Sequence, residues 1–212
     1  GQYNLTQSLL IQNPNIALVG AGRATEILQK NSTLDYLIKI TSSRLAPEYT
    51  YTGNIQIKNM LFWSPTSGSA YAIYFNNAHN IIWYPLVEDC FFININAIRT
   101  DVDAFGAYEV LQFPRFTKLI LENPPNCGIN LTNVIDARIR DVIIFSSTQQ
   151  VGTIGLYLNA TLSSGVIINE VTVVRQGYGI QIVQSSDTKI SNSIFDLCND
   201  TYAMNIRDSD CC

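Results

Sequence analysis

The stretch that decides the fold is Gly128-Ile129-Asn130-Leu131, because its pattern returns as Gly155-Leu156-Tyr157-Leu158, Gly179-Ile180-Gln181-Ile182 and Ala203-Met204-Asn205-Ile206. Each copy opens on a small residue and then flanks one variable position with two apolar ones, and the starts lie 27, 24 and 24 residues apart. Alternation with a period of two puts neighbouring side chains on opposite faces of a strand. A second pattern runs aliphatic, any residue, Asn/Asp/Glu, two residues, apolar. It begins at Ile57, Val87, Ile139, Ile168 and Ile190 and sets polar markers at Asn59, Asp89, Asp141, Glu170 and Asn192. Reading the wide gap between Asp89 and Asp141 as two turns gives about 27 residues per repeat, the mark of a solenoid. The L-x-x-L-x-L spacing of leucine-rich repeats is missing, and no long run has helical periodicity. The expectation is all-β: a single-stranded parallel β-helix of about eight turns, each turn adding short strands at about 4.8 Å to the one before. Residues 1–212 form one domain in this reading. Side loops are expected near residues 42–52 and 101–114, and Pro124-Pro125 marks a bend.

The 212 residues are 47% hydrophobic and only 14% charged, with a net charge of −4. That composition supports a core and argues against disorder. It also excludes the basic face that nucleic-acid binding requires. Apolar runs such as Val142–Phe145 are far too short to span a bilayer, and no signal peptide opens at Gly1. Five N-x-S/T sequons place Asn4, Asn31, Asn130, Asn159 and Asn199 as candidate N-glycosylation sites. Glycans would supply the hydration that a charge-poor surface lacks, which points outside the cell or to a cell or virion surface. Five cysteines, Cys90, Cys127, Cys198, Cys211 and Cys212, show no zinc-like spacing. The adjacent Cys211 and Cys212 are the positions for an intermolecular or structural disulfide, and the others read as buried thiols.

The opening residues add a resemblance. Gly1-Gln2-Tyr3-Asn4-Leu5, Leu9-Leu10-Ile11 and the run from Asn15 through Val19-Gly20-Ala21-Gly22 to Thr25-Glu26-Ile27-Leu28 resemble the first turns of pectate-lyase-like right-handed β-helices. That superfamily includes polysaccharide lyases, polygalacturonases and phage tailspikes. The resemblance implies a right-handed coil and a carbohydrate-facing surface. Members usually carry a helix or loop over the first turn, whereas this chain starts within the G-x-Y element. Bare ends would invite pairing with another chain, end to end or side by side.

Catalytic signatures do not follow the resemblance. Arg138-Ile139-Arg140 is the nearest approach to an R-I-K segment, and it has no histidine partner. His79 sits in a turn-like Asn-rich context. Asp101, Asp103 and Glu109 form the best carboxylate cluster, yet they read more simply as solvated loop residues, and Glu88-Asp89 as a repeat corner. Asp208 and Asp210 lie in a terminal tail. No catalytic residue, metal or cofactor is therefore assigned. The aromatics Trp63, Tyr71, Trp83 and Tyr84, with Tyr49 and Tyr51, are candidates for stacking on sugars or for packing. The function expected is a secreted, glycosylated structural or adhesive protein of a filament, appendage or virion spike. A polysaccharide lyase, a glycoside hydrolase or a glycan-binding module is the alternative.

Overall fold

The computed structural model describes residues 1–31, 33–41, 52–65, 68–76, 81–101, 111–159, 165–185, 187–198 and 203–207, with the backbone alone at Thr52 and Asp101. Among these the only helical element is the 3-10 turn Gly22–Ala24; the rest of the regular structure is strand. The strands form sheets of twelve, eight and four members, and every pairing is parallel. Each strand pairs with its counterpart one repeat later, so the structure is a parallel solenoid. No helix is long and apolar enough to cross a membrane among the described residues.

In the eight-stranded sheet, Leu9, Ile38, Ile73, Ile98, Ile129, Leu156, Ile180 and Met204 stand in register one above another. Those from Ile38 to Ile180 are fully or almost fully buried. In the twelve-stranded sheet the matching column is Ile27, Phe62, Phe92, Leu121, Ile144, Val173 and Phe195. Both columns feed one continuous apolar core.

Corners hold the coil to this repeat. Asn59, Asp89, Asp141, Glu170 and Asn192, the sequence markers, all have φ between 50° and 57°. The turn skipped between Asp89 and Asp141 is filled by Lys118, φ 53°. This conformation bends the chain while its N–H stays in the ladder: Asn59 donates to the Glu88 carbonyl and Asp89 to that of Thr117. A second corner column comprises Asn15, Asn54, Tyr84, Phe113, Asp136, Gly165 and Asp187, again all at positive φ. Left-handed backbone costs an L-residue about 1–2 kcal/mol, least for Gly, Asn and Asp. Lys118→Asn is therefore expected to stabilise the protein by about 0.5 kcal/mol, a Tm rise of about 1–2 °C in a calorimetric scan. The exposed 3.9 Å contact that Lys118 makes with Glu88 is worth too little to reverse that sign.

The expected side loops, 42–52 and 101–114, fall mostly outside the described residues. Thr52 belongs to the strand Thr52–Gly53, Asp101 ends the strand Asn96–Asp101, and Leu111–Gln112 is a strand of the four-stranded sheet. The remainders, 42–51 and 102–110, lie outside the described residues.

Candidate functional site

Two surface features carry chemistry. The first is a cleft of about 490 Å3 on the outer face of the eight-stranded sheet, lined by Asp35, Tyr36, Ser69, Tyr71, Tyr74, Arg99 and Asn126. Parallel register makes it. Lys39, Tyr74, Arg99, Asn130, Tyr157 and Gln181 form one outward column, next to the inward isoleucines. Tyr36 stacks on Tyr74 with ring centroids 5.1 Å apart. The Lys39 ammonium lies 5.5 Å from the Tyr36 centroid, and the Arg99 guanidinium 5.7 Å from that of Tyr71. Such cation–ring contacts are worth about 0.5–1 kcal/mol each where water reaches them, and they orient the rings.

Buried Asn96 builds the cleft from beneath. Its Oδ1 accepts from the N–H groups of Asn126 and Cys127 at 3.0 and 2.9 Å, and its Nδ2 donates to the Ser69 carbonyl at 3.0 Å. One side chain thus ties together two loops that line opposite sides of the opening.

The second feature is apolar. On the half of the twelve-stranded sheet that follows the Asn59 corner column, the outward positions stack Leu61, Phe91, Ile120, Ile143, Thr172 and Ile194. Beside them stand Trp63, Ile93, Glu122, Phe145 and Val174. Most are half-buried; Ile143 and Ile194 are 44% and 58% exposed. The other half of the same sheet is mixed on its outer face: it carries the ion pairs Lys58–Glu88 at 3.3 Å and Arg140–Glu170 at 3.2 Å, and also the exposed Val19 and Ile167. Outward positions that face water are normally polar, so two columns that are apolar except at Thr172 and Glu122 stand out.

The aromatics that cluster in the sequence separate in space. Trp63 lies on the apolar columns, Tyr71 in the cleft, and Trp83 and Tyr84 at the corner of the four-stranded sheet. Tyr36, Tyr74, Lys39 and Arg99 do not stand out in the sequence, although the third position of each Gly-x-x-x copy marks the column of Lys39, Tyr74 and Arg99; Tyr36 is level with Tyr71. His79, Tyr49, Tyr51, Asp103, Glu109, Asp208, Asp210, Asn199, Cys211 and Cys212 lie outside the described residues, as does the Asp101 side chain.

Of the sequon asparagines, Asn4 is exposed on the edge strand Gln2–Leu5. Asn31 is half-buried; its Oδ1 accepts from the Thr33 N–H and hydroxyl at 3.0 and 2.8 Å. Asn130 and Asn159 lie in the eight-stranded sheet with Oδ1 buried and without a hydrogen-bond partner among the described residues.

Asp141 and Glu170 meet across adjacent turns: the hydrogen bond between their carboxyls holds the Asp141 pKa up, while that bond and Arg140 hold Glu170 down. The pair lines neither of these features. Burial pushes the Cys90 and Cys127 thiols up to about 12, so both stay protonated and pack as small apolar groups. No group of three or more metal-ligating side chains occurs among the described residues.

These observations define the class as a parallel β-solenoid with a polar-aromatic cleft on one face and an apolar strip on another. No protein-family model matches the chain, and no curated protein matches it. Among solved structures it is similar to ORF18 of Geobacillus virus E2, with a TM-score of 0.48 and 11% identity over 100% of this chain and 51% of the viral one. The chain thus spans about half the length of that protein. It is also similar to the catalytic domain of a GH87 alpha-1,3-glucanase in complex with tetrasaccharides, with a TM-score of 0.23 and 11% identity over 99% of this chain and 63% of that one. Likenesses this distant carry no argument about activity, so the functional reading rests on the residues.

Proposed function

We propose that the chain is a right-handed, pectate-lyase-like β-helix of about eight turns, a single domain over residues 1–212, that serves as a structural or adhesive element of an extracellular appendage or virion surface. The observation that carries this reading is the pair of apolar columns on the long sheet. Isoleucine, phenylalanine and valine at outward positions of successive turns are stable in water only at a cost, and a second copy of the chain laid alongside would remove it. Side-by-side association is therefore the assembly route that this face supports. In the same reading the protein is secreted and carries N-glycans, with Asn4 the sequon best placed to hold one on the folded surface. No catalytic residue takes part.

Sedimentation velocity tests the assembly. The wild-type chain is expected to form dimers or larger species as concentration rises, and the double variant Ile120→Lys/Ile143→Lys to remain monomeric with its circular dichroism unchanged. A wild-type chain that stays monomeric up to its solubility limit would sink the proposal. The second reading, a glycan-binding module, is favoured by the Tyr36, Tyr71 and Tyr74 cleft, whose rings flank polar groups in the way sugar sites do.

A further inference from the structure

The apolar strip is a face with charges in and around it. It spans six turns, marked by Leu61, Phe91, Ile120, Ile143, Thr172 and Ile194. Turns about 4.8 Å apart and a width from Lys118 to Asn123 at about 3.3 Å per residue make a face of about 29 by 20 Å. Two copies laid together would bury about 1,200 Å2, the lower end for a specific interface, so a partner must cover nearly the whole strip.

Homodimers are mostly two-fold, and a two-fold axis can lay one flat face on its own copy in two ways. An axis along the coil sets equal turns against each other and exchanges the two columns. An axis along the strands reverses one coil and keeps each column on its counterpart. To cover all six turns this second axis must pass between Ile120 and Ile143. Ile120 then meets Ile143 of the second copy, Phe91 meets Thr172, and Leu61 meets Ile194.

Charge decides between the two. The column of Trp63 contains Glu122, and Asp196 continues it past Val174. With parallel coils Glu122 would face Ile120 and Asp196 would face Ile194, which strips water from both carboxylates against isoleucine. Such a dimer also brings Arg175 toward Glu170, but that contact does not relieve Asp196. With antiparallel coils Asp196 faces Trp63, whose indole N–H can donate to it. Glu122 then faces Phe145, and the exposed Arg175 reaches down to that turn, donating to the Ser147 carbonyl at 3.0 Å. In the corner column just outside the strip, Lys118 comes level with Asp141. The Arg23 guanidinium, 4.0 Å from the Phe91 ring centroid, comes level with Glu170 and offsets Asp89, which arrives there too.

The geometry points to a two-fold antiparallel dimer, in which a second copy of this chain lies reversed on the apolar strip and sets its Trp63 against Asp196. This rests on the side-by-side association proposed above and adds its direction and register. The charged pairs, each present twice by symmetry, select that register more than they add affinity.

The test is photo-cross-linking of the full chain with benzoylphenylalanine in place of Ile194, an exposed position. The covalent dimer is isolated and its linked peptides are mapped by mass spectrometry. Links to the segment Leu61–Trp63 of the second copy are expected. Links confined to residues 194–196 would overturn the antiparallel dimer and leave side-by-side association standing, as would links elsewhere or a dimer in sedimentation velocity that gives no link. A chain that sediments only as a monomer would overturn both. Charge exchange supplies a readout without the cross-linker: Lys118→Asp is expected to weaken dimerisation at least tenfold, and Lys118→Asp/Asp141→Lys to restore it. A dimer indifferent to Lys118→Asp would also overturn the proposal.

Discussion

Phe92→Ala is expected to lower the unfolding free energy by about 4 kcal/mol, seen in urea as a fall in midpoint with an unchanged slope. The Phe92 side chain is fully buried and stacks on Phe62 one turn below, with ring centroids 5.1 Å apart and planes at 8°. Removing it opens a cavity between Phe62 and Leu121, its register partners. Backbone ladders on both sides prevent that cavity from closing, because the spacing of the turns is set by hydrogen bonds rather than by side chains. Phe91→Ala supplies the contrast. Phe91 points outward, half-buried, with the Arg23 guanidinium 4.0 Å from its ring centroid, and its loss is expected to cost about 1 kcal/mol. If Phe91→Ala were the more costly, the inside and outside of the long sheet would have to be exchanged.

Gly155→Ala is expected to cost about 3 kcal/mol, although it adds a single methyl group. A Cβ at Gly155 would overlap Val173 Cγ1 and lie 2.6 Å from the Gly179 carbonyl oxygen. The oxygen belongs to the backbone of the next turn and cannot move aside. Gly128 and Gly179 stand in the same column and meet the same obstacle, at 2.6 Å from the Gly155 oxygen and 2.7 Å from that of Ala203. Gly152→Ala should differ in kind. Gly152 has φ +73° and nothing within 4 Å of its Cβ position, so only the backbone conformation is penalised, by about 1 kcal/mol. Thermal melts of the two variants would separate the effects: a Gly155→Ala protein as stable as Gly152→Ala would contradict the close approach of turns in this column.

The repeat is legible in the sequence because it is enforced at every turn by the same physics. Inward positions must be apolar, so Ile129, Leu156 and Ile180 can be aligned by eye. Corners favour residues that accept left-handed backbone, so Asn59, Asp89, Asp141 and Asn192 declare themselves. Lys118 escaped because nothing in its chemistry announces that conformation; the ladder imposes it from the turns above and below. Tyr84 and Phe113 are hidden for the same reason. Their corner is visible only through the column of Asn15, Asn54, Asp136 and Gly165 in which they sit.

Surface features follow a different rule. A site on a solenoid is assembled from one residue per turn, so its members lie a full repeat apart in the chain and share no local pattern. Lys39, Tyr74 and Arg99 are such a set. Carrying the Gly-x-x-x alignment backwards through Ala97-Ile98-Arg99 and Ala72-Ile73-Tyr74 would have brought them together. The converse error is to trust proximity in the chain: Trp63, Tyr71 and Trp83 lie within a single repeat and therefore belong to different sheets.

What the amino-acid sequence determined by itself is the all-β class, the repeat near 27 residues and the inward columns, since these depend on residue type and on spacing along the chain. The tertiary structure alone decided which outward residues become neighbours: the Tyr36–Tyr74 cleft held by Asn96 and the apolar strip from Leu61 to Ile194. Register is the reason. Repeats of unequal length must be brought level by backbone hydrogen bonds before two side chains from successive turns can meet.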